Sequence, residues 1–416
     1  MPEFTAHQSS RSILFRPTVK SIFLSIILLG LIITTSATAN VRRLKRPRTS
    51  NDRPISDPKT LPAGLTPLNS LPFNCDKWIH RSKTTKPVII NCCFNRKNAP
   101  CGTGTSVAYE VSCNRNLGLN KVQESSYQVC HDRSNDNTLY SVNTLQHHTK
   151  LTALSNHVMR QQTKKATMAW RRGPKQLFYT WNSKSKSLID HSYKEIGQVK
   201  NLKKVLNLTS VANYIGGHPK RIFYLAKGHL SARADSDTPN IVWETSTYYY
   251  VNSAPQWQSI NQGNWYQLEK AVREFRQTRI KNTLVIITGT YGTFTLPDLN
   301  NNQQEIHMIT DQNGKGHVPV PKYFWKIVWD EKGGQATAFI GINNPYLGKV
   351  DPEMIFCQDV CDRMPWFKET TVYRNRHIII KGYLFCCEVK HLLAKLNYSN
   401  DVFLSNQKLF NSGLLV

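Results

Sequence analysis

The sequence has few acidic residues: 27 Asp and Glu stand against 54 Lys and Arg, which gives a formal net charge of +27. It contains no Cys-x-x-Cys pair, so its ten cysteines do not have the spacing of a zinc finger or ribbon. The apolar run near the N-terminus, "IFLSIILLGLII", has 12 residues, whereas a membrane-spanning helix needs about 20. The chain also lacks internal repeats and low-complexity tracts. With 416 residues, the chain is long enough for about two globular domains, each with its own hydrophobic core.

The first 39 residues predict a secretory signal peptide. Three basic residues precede the apolar run, and Ala37 and Ala39 form an A-x-A cleavage signal after it. An uncleaved membrane anchor is the alternative. Residues 40–72 are rich in Pro, Ser, Thr and Arg, which predicts an extended basic linker. Its "RRLKR" resembles the R-x-K-R site of furin-like processing proteases, and a solvated basic arm is the other interpretation.

The cysteines also favour secretion. Six lie between residues 75 and 130 and four between residues 357 and 387, so two separate disulfide sets are expected in an oxidising compartment. In the second set, Cys357 and Cys361 are expected on a helix, bonded to Cys386 and Cys387, with the pairing left open. The N-x-S/T glycosylation acceptors of a secreted protein occur at Asn207 and Asn397.

Two folded regions are expected. Residues 73–165 carry six cysteines and β-prone runs such as "KPVIIN", which predicts a small disulfide-rich β domain with a polar tail near 131–166. Residues 166–416 mix helical and strand patterns. "NTLVIITGTYG" predicts a buried strand, and "YFWKIVWDEKGGQATAFIGI" predicts two strands joined by a turn.

The clearest predicted helix is "NWYQLEKAVREFRQTR". Leu268, Val272 and Phe275 recur at i, i+4 and i+7 and form its apolar stripe. Glu269 and Arg273 are neighbours on the helix surface, since residues at i and i+4 have Cβ atoms about 5–6 Å apart. Asn261 precedes the pattern and is expected to cap the helix.

The high positive charge predicts a polyanionic partner, which composition alone leaves open between nucleic acid, sulfated glycans and anionic membranes. Three motifs narrow the choice: "KGHL" at 227–230, "NSAPQ" at 252–256 and "NQGNWYQLE" at 261–269. In this order they resemble the D-R-G-H, N-x-x-P-Q and N-Q-G-x-W-x-x-L-E motifs of the DNA/RNA non-specific endonucleases of the ββα-metal fold. Residues 320–346 are similar to the strand pair and Asn-Pro loop of the same family.

The resemblance covers about residues 166–416 and looks strongest to the secreted insect double-stranded-RNA nucleases. It implies an α+β nuclease domain with a central mixed or antiparallel sheet flanked by helices, preceded here by the disulfide-rich β domain. It also implies cleavage of RNA, DNA or both with little sequence preference, and double-stranded RNA is the expected substrate. The implied cofactor is Mg²⁺, with Mn²⁺ as a substitute.

Carried over by position, the resemblance makes His229 the general base and Asn261 the metal ligand. Glu269 matches the residue that holds a metal-bound water, and Arg273 matches one that contacts the phosphate or supports the metal site. The chemistry fits, because histidine titrates near neutral pH and magnesium prefers oxygen ligands. If the helix begins near Asn261, the Cα atoms of Asn261 and Glu269 are about 12 Å apart, which favours action of Glu269 through water.

The substrate-contacting candidates are Lys227, Arg233, Asn252 and Gln256. The family's Asp-Arg is replaced by Ala226-Lys227, and lysine keeps the charge but loses the bidentate fork that arginine offers to phosphate. Asp235 lies just beyond this motif and faces either substrate or solvent. Two further sets of candidates are less specific: a family arginine at Arg171 or Arg172, and base-stacking rings in "YYYVN" at 248–252, which also fits a strand.

A non-catalytic polyanion binder on a weakened nuclease fold is the alternative, motivated by the altered "AKGH" motif and the charge. Retention of His229, Asn261, Glu269 and Arg273 argues against it, because a binder needs no metal ligand beside a base. A cationic membrane-active protein has little support, since no further basic amphipathic helix is evident.

Overall fold

The computed structural model describes residues 74–80, 88–97, 99–102, 106–117, 120–146, 169–173, 178, 186–216, 222–235, 241–398, 401 and 404–416. The predicted signal peptide, the linker and the "RRLKR" site lie outside these residues. In the described part of the chain, no helix has the length and apolarity that crossing a membrane requires.

One nine-stranded antiparallel sheet organises the fold, in the order β1-β2-β3-β4-β5-β8-β13-β14-β15. The chain therefore has the predicted α+β class, with a large antiparallel sheet. The strands of this sheet are β1 (Asn74–His80), β2 (Val88–Lys97), β3 (Ser106–Leu117), β4 (Asn120–Asp132), β5 (Asn137–Leu145), β8 (Leu284–Thr293), β13 (Pro321–Asp330), β14 (Gln335–Ile342) and β15 (Leu384–Cys387).

Within the described residues, three two-stranded sheets and a set of helices accompany the main sheet. The paired strands are β6 (Leu225–His229) with β7 (Ser253–Trp257), β9 (Thr295–Pro297) with β10 (Gln303–Glu305), and β11 (His307–Thr310) with β12 (Gly316–Pro319). The α-helices are α1 (Lys186–Ser192), α2 (Glu195–Leu206), α3 (Ile241–Thr247), α4 (Gln258–Ile260), α5 (Tyr266–Thr278), α6 (Pro365–Lys368), α7 (Thr371–Asn375), α8 (Val389–Leu396) and α9 (Gln407–Phe410). Short 3₁₀ turns span Arg233–Asp235, Tyr250–Asn252, Pro352–Met354, Cys361–Arg363 and Ile379–Lys381.

Both faces of the sheet centre are covered, because side chains alternate along each strand. On one face, Phe324 and Val328 of β13 pack with Leu268 of α5. On the opposite face, Trp325 and Ile327 of β13 pack with apolar residues of α8. The main sheet is thus the platform against which α5 is held.

The sheet does not divide where the sequence suggested two regions. Residues 69–416 form one compact unit, and β5 pairs with β8 from Tyr140–Gly289 to Leu145–Leu284. The disulfide-rich β region is therefore one half of a shared sheet rather than a separate domain before the nuclease domain. The prediction of a polar tail near 131–166 was wrong for residues 137–145, which form β5. This segment contains polar residues, although most of its side chains are buried, so its sequence did not indicate a strand.

All ten cysteines form disulfide bonds, in the two separate sets that were predicted. The first set joins Cys75–Cys93, Cys92–Cys113 and Cys101–Cys130, and the second joins Cys357–Cys387 and Cys361–Cys386. The expected helix is absent at Cys357, and Cys361 only begins a 3₁₀ turn. Because Cys361 and Cys386 bond to each other, their cluster with Asp359 offers no thiolate to a metal ion.

Candidate active site

The candidate site is built on β6, β7 and the helical segment that follows directly. β6 ends at His229, which lies opposite Ser253 at the start of β7. Glycine fits the crossing at position 228, because a Cβ atom there would lie 2.8 Å from the Cβ atom of Gln256. The chain then leaves β7 at Trp257 and enters α4 at once. Two strands and a helix thus carry all three motifs on one small unit.

Asn261 lies inside the helical segment, so the prediction that it caps the helix was wrong. The segment starts earlier, at Gln258, and continues through a π-helical stretch at Asn261–Trp265 into α5. Asn261 itself has helical φ and ψ of −55° and −46°. Its Nδ2 donates to Oε1 of Gln258 at 3.1 Å, and among the described residues no donor reaches its Oδ1.

The π-helical stretch is fixed by a loop from the C-terminal part of the chain. Nδ2 of Asn264 donates to the carbonyls of Asn375 and Gly382, at 2.8 and 2.7 Å. A Cβ atom at Gly263 would lie 2.5 Å from the carbonyl oxygen of Lys381, so only glycine allows this contact. The residues around Asn261 therefore hold its backbone in place, which gives its amide a defined position.

His229 sits in an aromatic surround. The ring of Trp170 lies 4.7 Å from its ring and that of Tyr248 lies 5.2 Å away, measured between centroids. Part of the side chain is exposed, but Nε2 is buried and has no hydrogen-bond partner in the described part of the chain. Burial, and then the charge of Arg233, lower the pKa of His229 to about 3. The imidazole is thus neutral at physiological pH.

Lys227 shares the aromatic wall. Its Nζ lies 4.9 Å from the ring centroid of Tyr193, 5.5 Å from that of Tyr250 and 5.9 Å from that of Trp170. Burial lowers its pKa, and the carboxylate of Asp190 opposes this shift. Ring faces stabilise a cation that has lost part of its hydration. The structure therefore keeps a lysine charge two residues from His229 on the same strand.

Glu269 lies on α5 in a different surround, made of charges. Burial raises the pKa of Glu269 to about 7; Lys326 opposes this shift, Asp235 adds to it and Arg273 opposes it. Its side chain is partly exposed. Arg273 bonds to Asp235 at 3.3 Å, with side-chain exposures of 16% and 5%. Asp235 therefore faces neither solvent nor an open cleft, and it ties the segment after His229 to α5.

Asn252 and Gln256, expected to line the cleft, are fully buried. Oδ1 of Asn252 accepts from the backbone N–H of Ser231, and its Nδ2 donates to the carbonyls of Ser231 and Thr247. Asn252 thereby fixes the segment that follows His229. Gln256 packs under Gly228, and its amide atoms make no hydrogen bond in the part of the chain described.

The remaining candidates are placed as follows. Arg233 is about half exposed and contacts Glu244 at 3.6 Å and the hydroxyl of Tyr248 at 3.3 Å. Arg171 bonds to Asp76 at 3.0 Å and lies over the ring of Trp78, so it anchors its segment to β1. In "YYYVN", Tyr249 and Tyr250 are buried, and residues 250–252 form a 3₁₀ turn rather than a strand.

Two features of the site were not singled out from the sequence. Lys326 carries a sequence signal, since it is the one charged residue inside the apolar run "YFWKIVW" of β13. Trp170 carries none, because it lies about sixty residues before His229 and reaches it only through a parallel bridge between Arg171 and Tyr249. The aromatic wall is a product of tertiary structure.

These residues can support water activation beside a cation. A neutral imidazole with an unpaired Nε2 can accept a proton. The amide oxygen of Asn261 and the carboxylate of Glu269 are hard oxygen groups, and the oxygen of Asn261 has no competing donor among the described residues. The donor set thus fits a magnesium ion with one protein ligand.

Comparison with known proteins gives a consistent result. A model of the DNA/RNA non-specific endonucleases matches residues 104–392. A salivary endonuclease of Lutzomyia longipalpis is 27% identical over 86% of this chain and 81% of its own length. A salivary endonuclease of Culex quinquefasciatus is 30% identical over 42% of this chain and 45% of its own length, and the salivary protein Tsal1 of Glossina morsitans morsitans is 28% identical over 45% and 44%. The matched range includes both β5 and the whole ββα unit.

Proposed function

Because the chain belongs to the DNA/RNA non-specific endonuclease family and is a nuclease, we propose that it hydrolyses phosphodiester bonds with His229 as general base and magnesium as cofactor. The observation that carries this proposal is the buried, unpaired Nε2 of His229 at the end of β6. An imidazole nitrogen without a protein partner is free to accept a proton from an attacking water.

The first requirement of this role is a neutral imidazole. The depressed pKa of His229, caused first by burial and then by Arg233, keeps its nitrogen unprotonated across the physiological range. The rings of Trp170 and Tyr248 fix the plane of the imidazole and exclude water from its sides. A proton taken from the attacking water goes to Nε2.

The cation site rests on Asn261. We propose that Oδ1 of Asn261 holds a magnesium ion, which supplies positive charge to the phosphate oxygens and the departing oxygen; manganese is expected to substitute. Asn261 is positioned by the clamp between Asn264 and the loop at residues 375–382. Glu269 accepts hydrogen bonds from water at this site, and Arg273, held by Asp235, directs positive charge towards the phosphate.

Lys227 and Arg233 are the cations of this chain closest in sequence to His229, and we propose that they contact the phosphate backbone. Backbone contacts carry no base information, which fits low sequence specificity. The net charge of +27 favours nucleic acid over neutral substrates. Double-stranded RNA stays the expected preferred substrate, on the basis of the resemblance alone.

Secretion and glycosylation belong to the same proposal. The relatives named above are salivary proteins, and ten disulfide-bonded cysteines suit an oxidising compartment. Asn207 and Asn397 both end helices in the left-handed conformation and are exposed, so their side-chain amides are accessible to a glycosyl transferase. Removal of N-glycans from the secreted protein should lower its mass if either residue is modified.

The proposal is tested by digesting double-stranded RNA and double-stranded DNA in parallel, with magnesium, manganese or chelator. The wild type should cut with either metal and not with chelator. Asn261→Ala should raise the magnesium concentration for half-maximal cleavage by about tenfold or more, because its oxygen ligand is lost. Gln262→Ala is the matched control, since Gln262 is the exposed next residue.

Cleavage in chelator, or a wild-type magnesium requirement in Asn261→Ala, would contradict the metal site. The ratio of the two wild-type rates gives the preference between RNA and DNA. Faster cutting of DNA would contradict the expectation for double-stranded RNA without affecting the mechanism.

A further inference from the structure

Lys326 is a lysine at the centre of the main sheet. It lies between Phe324 and Val328 on the face of β13 that packs against α5, and its exposed fraction is 1%. Every other residue from Tyr323 to Trp329 is aromatic or aliphatic and buried. A fully buried lysine is rare unless it has partners, because the ammonium group loses its hydration.

The position of Lys326 is fixed from two sides. Its Nζ donates to Oγ1 of Thr288, the residue directly opposite on β8. Its Nζ also lies 5.6 Å from the ring centroid of Trp265, the last residue of the π-helical stretch. The side chain therefore runs from the sheet towards the start of α5, where Glu269 lies one turn further on.

Lys326 belongs to a cluster of two cations and two carboxylates. Burial lowers the pKa of Lys326, and Asp235 and then Glu269 oppose this shift, while Arg273 adds to it. In the other direction, Lys326 is the charge that most favours the ionised form of Glu269. Asn143 of β5 donates to Asp235 at 3.2 Å and closes the cluster on the sheet side.

A buried ion cluster is a weak source of stability when it is taken as a whole. Replacing buried ion pairs by apolar side chains of similar volume is often neutral or stabilising, because the charges no longer have to be desolvated. A methionine at this position would remove one cation and leave the carboxyl groups of Asp235 and Glu269 with Arg273 alone. Because desolvation of the ammonium group is unfavourable, we expect this charge to act on a neighbouring residue that takes part in the reaction.

We propose that Lys326 is a positioning residue for the reaction: it supplies positive charge to Glu269 and Asp235 from inside the sheet and so holds the Glu269 carboxyl group in place on α5. This inference rests on the proposed function of Glu269. Lys326 does not touch substrate, so its removal should change the rate of the bound complex more than substrate affinity.

The test compares Lys326→Met with Lys322→Met in the full-length protein. Lys322 is on the same strand but only half-buried, beside Tyr323 and away from the cluster. Lys326→Met should lower kcat about tenfold or more with KM nearly unchanged, and its thermal unfolding midpoint should fall, because Asp235 and Glu269 lose a buried cation. Lys322→Met should match the wild type in all three measurements.

A second variant separates electrostatics from packing. The double substitution Asp235→Asn with Lys326→Met restores the balance between cations and carboxylates. It should recover part of the kcat that Lys326→Met alone loses. A packing role predicts instead that the two substitutions add their losses.

The outcomes distinguish this inference from the proposed function. Wild-type kcat in Lys326→Met, or additive losses in the double variant, would overturn the role of Lys326. Because His229→Ala is assayed beside them, the proposed function is judged separately. Normal cleavage by His229→Ala would overturn the mechanism itself, whatever Lys326→Met does.

Discussion

The two halves of the candidate site differ in the residues that surround the candidate group: aromatic rings surround His229, and charged side chains surround Glu269. On the strand side, His229 is bordered by the rings of Trp170 and Tyr248. On the helix side, Glu269 is bordered by the charges of Lys326, Asp235 and Arg273. Both side chains are partly exposed. Burial is nevertheless the largest influence on the pKa of each group: it lowers the pKa of His229 to about 3 and raises that of Glu269 to about 7.

The same physical cause thus has opposite consequences for the two groups. Burial favours the neutral form of any acid or base. For a histidine that is proposed to accept a proton, the neutral form is the working form, and the aromatic surround favours it. For a carboxylate that must carry charge, burial works against function, and Lys326 and Arg273 oppose it. We therefore expect the aromatic rings to affect the pKa of His229 alone, and the charged side chains to affect the pKa of Glu269 alone.

After removal of His229 itself, the largest effect should come from removing the carboxylate charge of Glu269. Glu269→Gln keeps the size of the side chain, and kcat should fall about 100-fold or more, as for other groups that act in the transition state. Steady-state cleavage of double-stranded RNA measures it. A kcat within twofold of the wild type would show that the carboxylate charge is not used.

The same variant has a signature in stability. In the wild type, the folded chain keeps the proton of Glu269 up to about pH 7, whereas the unfolded chain loses it near 4.5. Stability from this group therefore falls as pH rises between these values, and the loss is complete above pH 7. Glu269→Gln should remove this contribution, as urea unfolding at several pH values would show. An unchanged pH dependence would contradict the raised pKa.

A smaller loss of activity, with a clear loss of stability, should follow from breaking the buried pair. Asp235→Ala leaves Arg273 without a carboxylate partner, at a side-chain exposure of 16%. The free energy of unfolding should fall by about 3 kcal/mol. Asp235→Asn retains an acceptor for Arg273 and is expected to lose less. Equal losses in the two variants would mean that the hydrogen bond to Arg273 contributes nothing.

The smallest effect on activity should come from removing one of the aromatic rings beside His229. Trp170→Ala admits water to His229, so the pKa of His229 should rise towards its ordinary value. Because the neutral form is active, the acid limb of the pH–rate profile should move to higher pH, by about one unit. Tyr248→Phe keeps its ring and should leave the limb in place. A fixed limb in Trp170→Ala would mean that this ring does not set the pKa.

The local pattern of apolar residues was sufficient to predict the helices and strands that bury only one face. The stripe of Leu268, Val272 and Phe275 predicted α5, and all three side chains are buried. The turn "DEKGG" joined β13 and β14 as expected. Strand β5 was missed because both of its faces are covered and its buried side chains include Ser141 and Asn143, which carry no apolar alternation.

The site was predictable only in part, for a physical reason. Motif order selected His229, Asn261, Glu269 and Arg273 as candidates, because their spacing is a property of the chain. It did not reveal that Arg273 pairs with Asp235, since that contact joins positions 38 residues apart. It also assigned Asn252 to the cleft. In the folded chain, Asn252 is buried, and its side-chain amide makes three hydrogen bonds to the backbone. Partners are set by tertiary packing.

Cleavage and binding by His229→Ala test the central claim most directly. The cleavage rate on double-stranded RNA should fall about 1000-fold or more, since the base that accepts the proton is gone. Binding of the same RNA, measured with magnesium at fixed salt, should stay within a few-fold of the wild type, because His229 contributes no charge. Cleavage at the wild-type rate by His229→Ala would contradict the account.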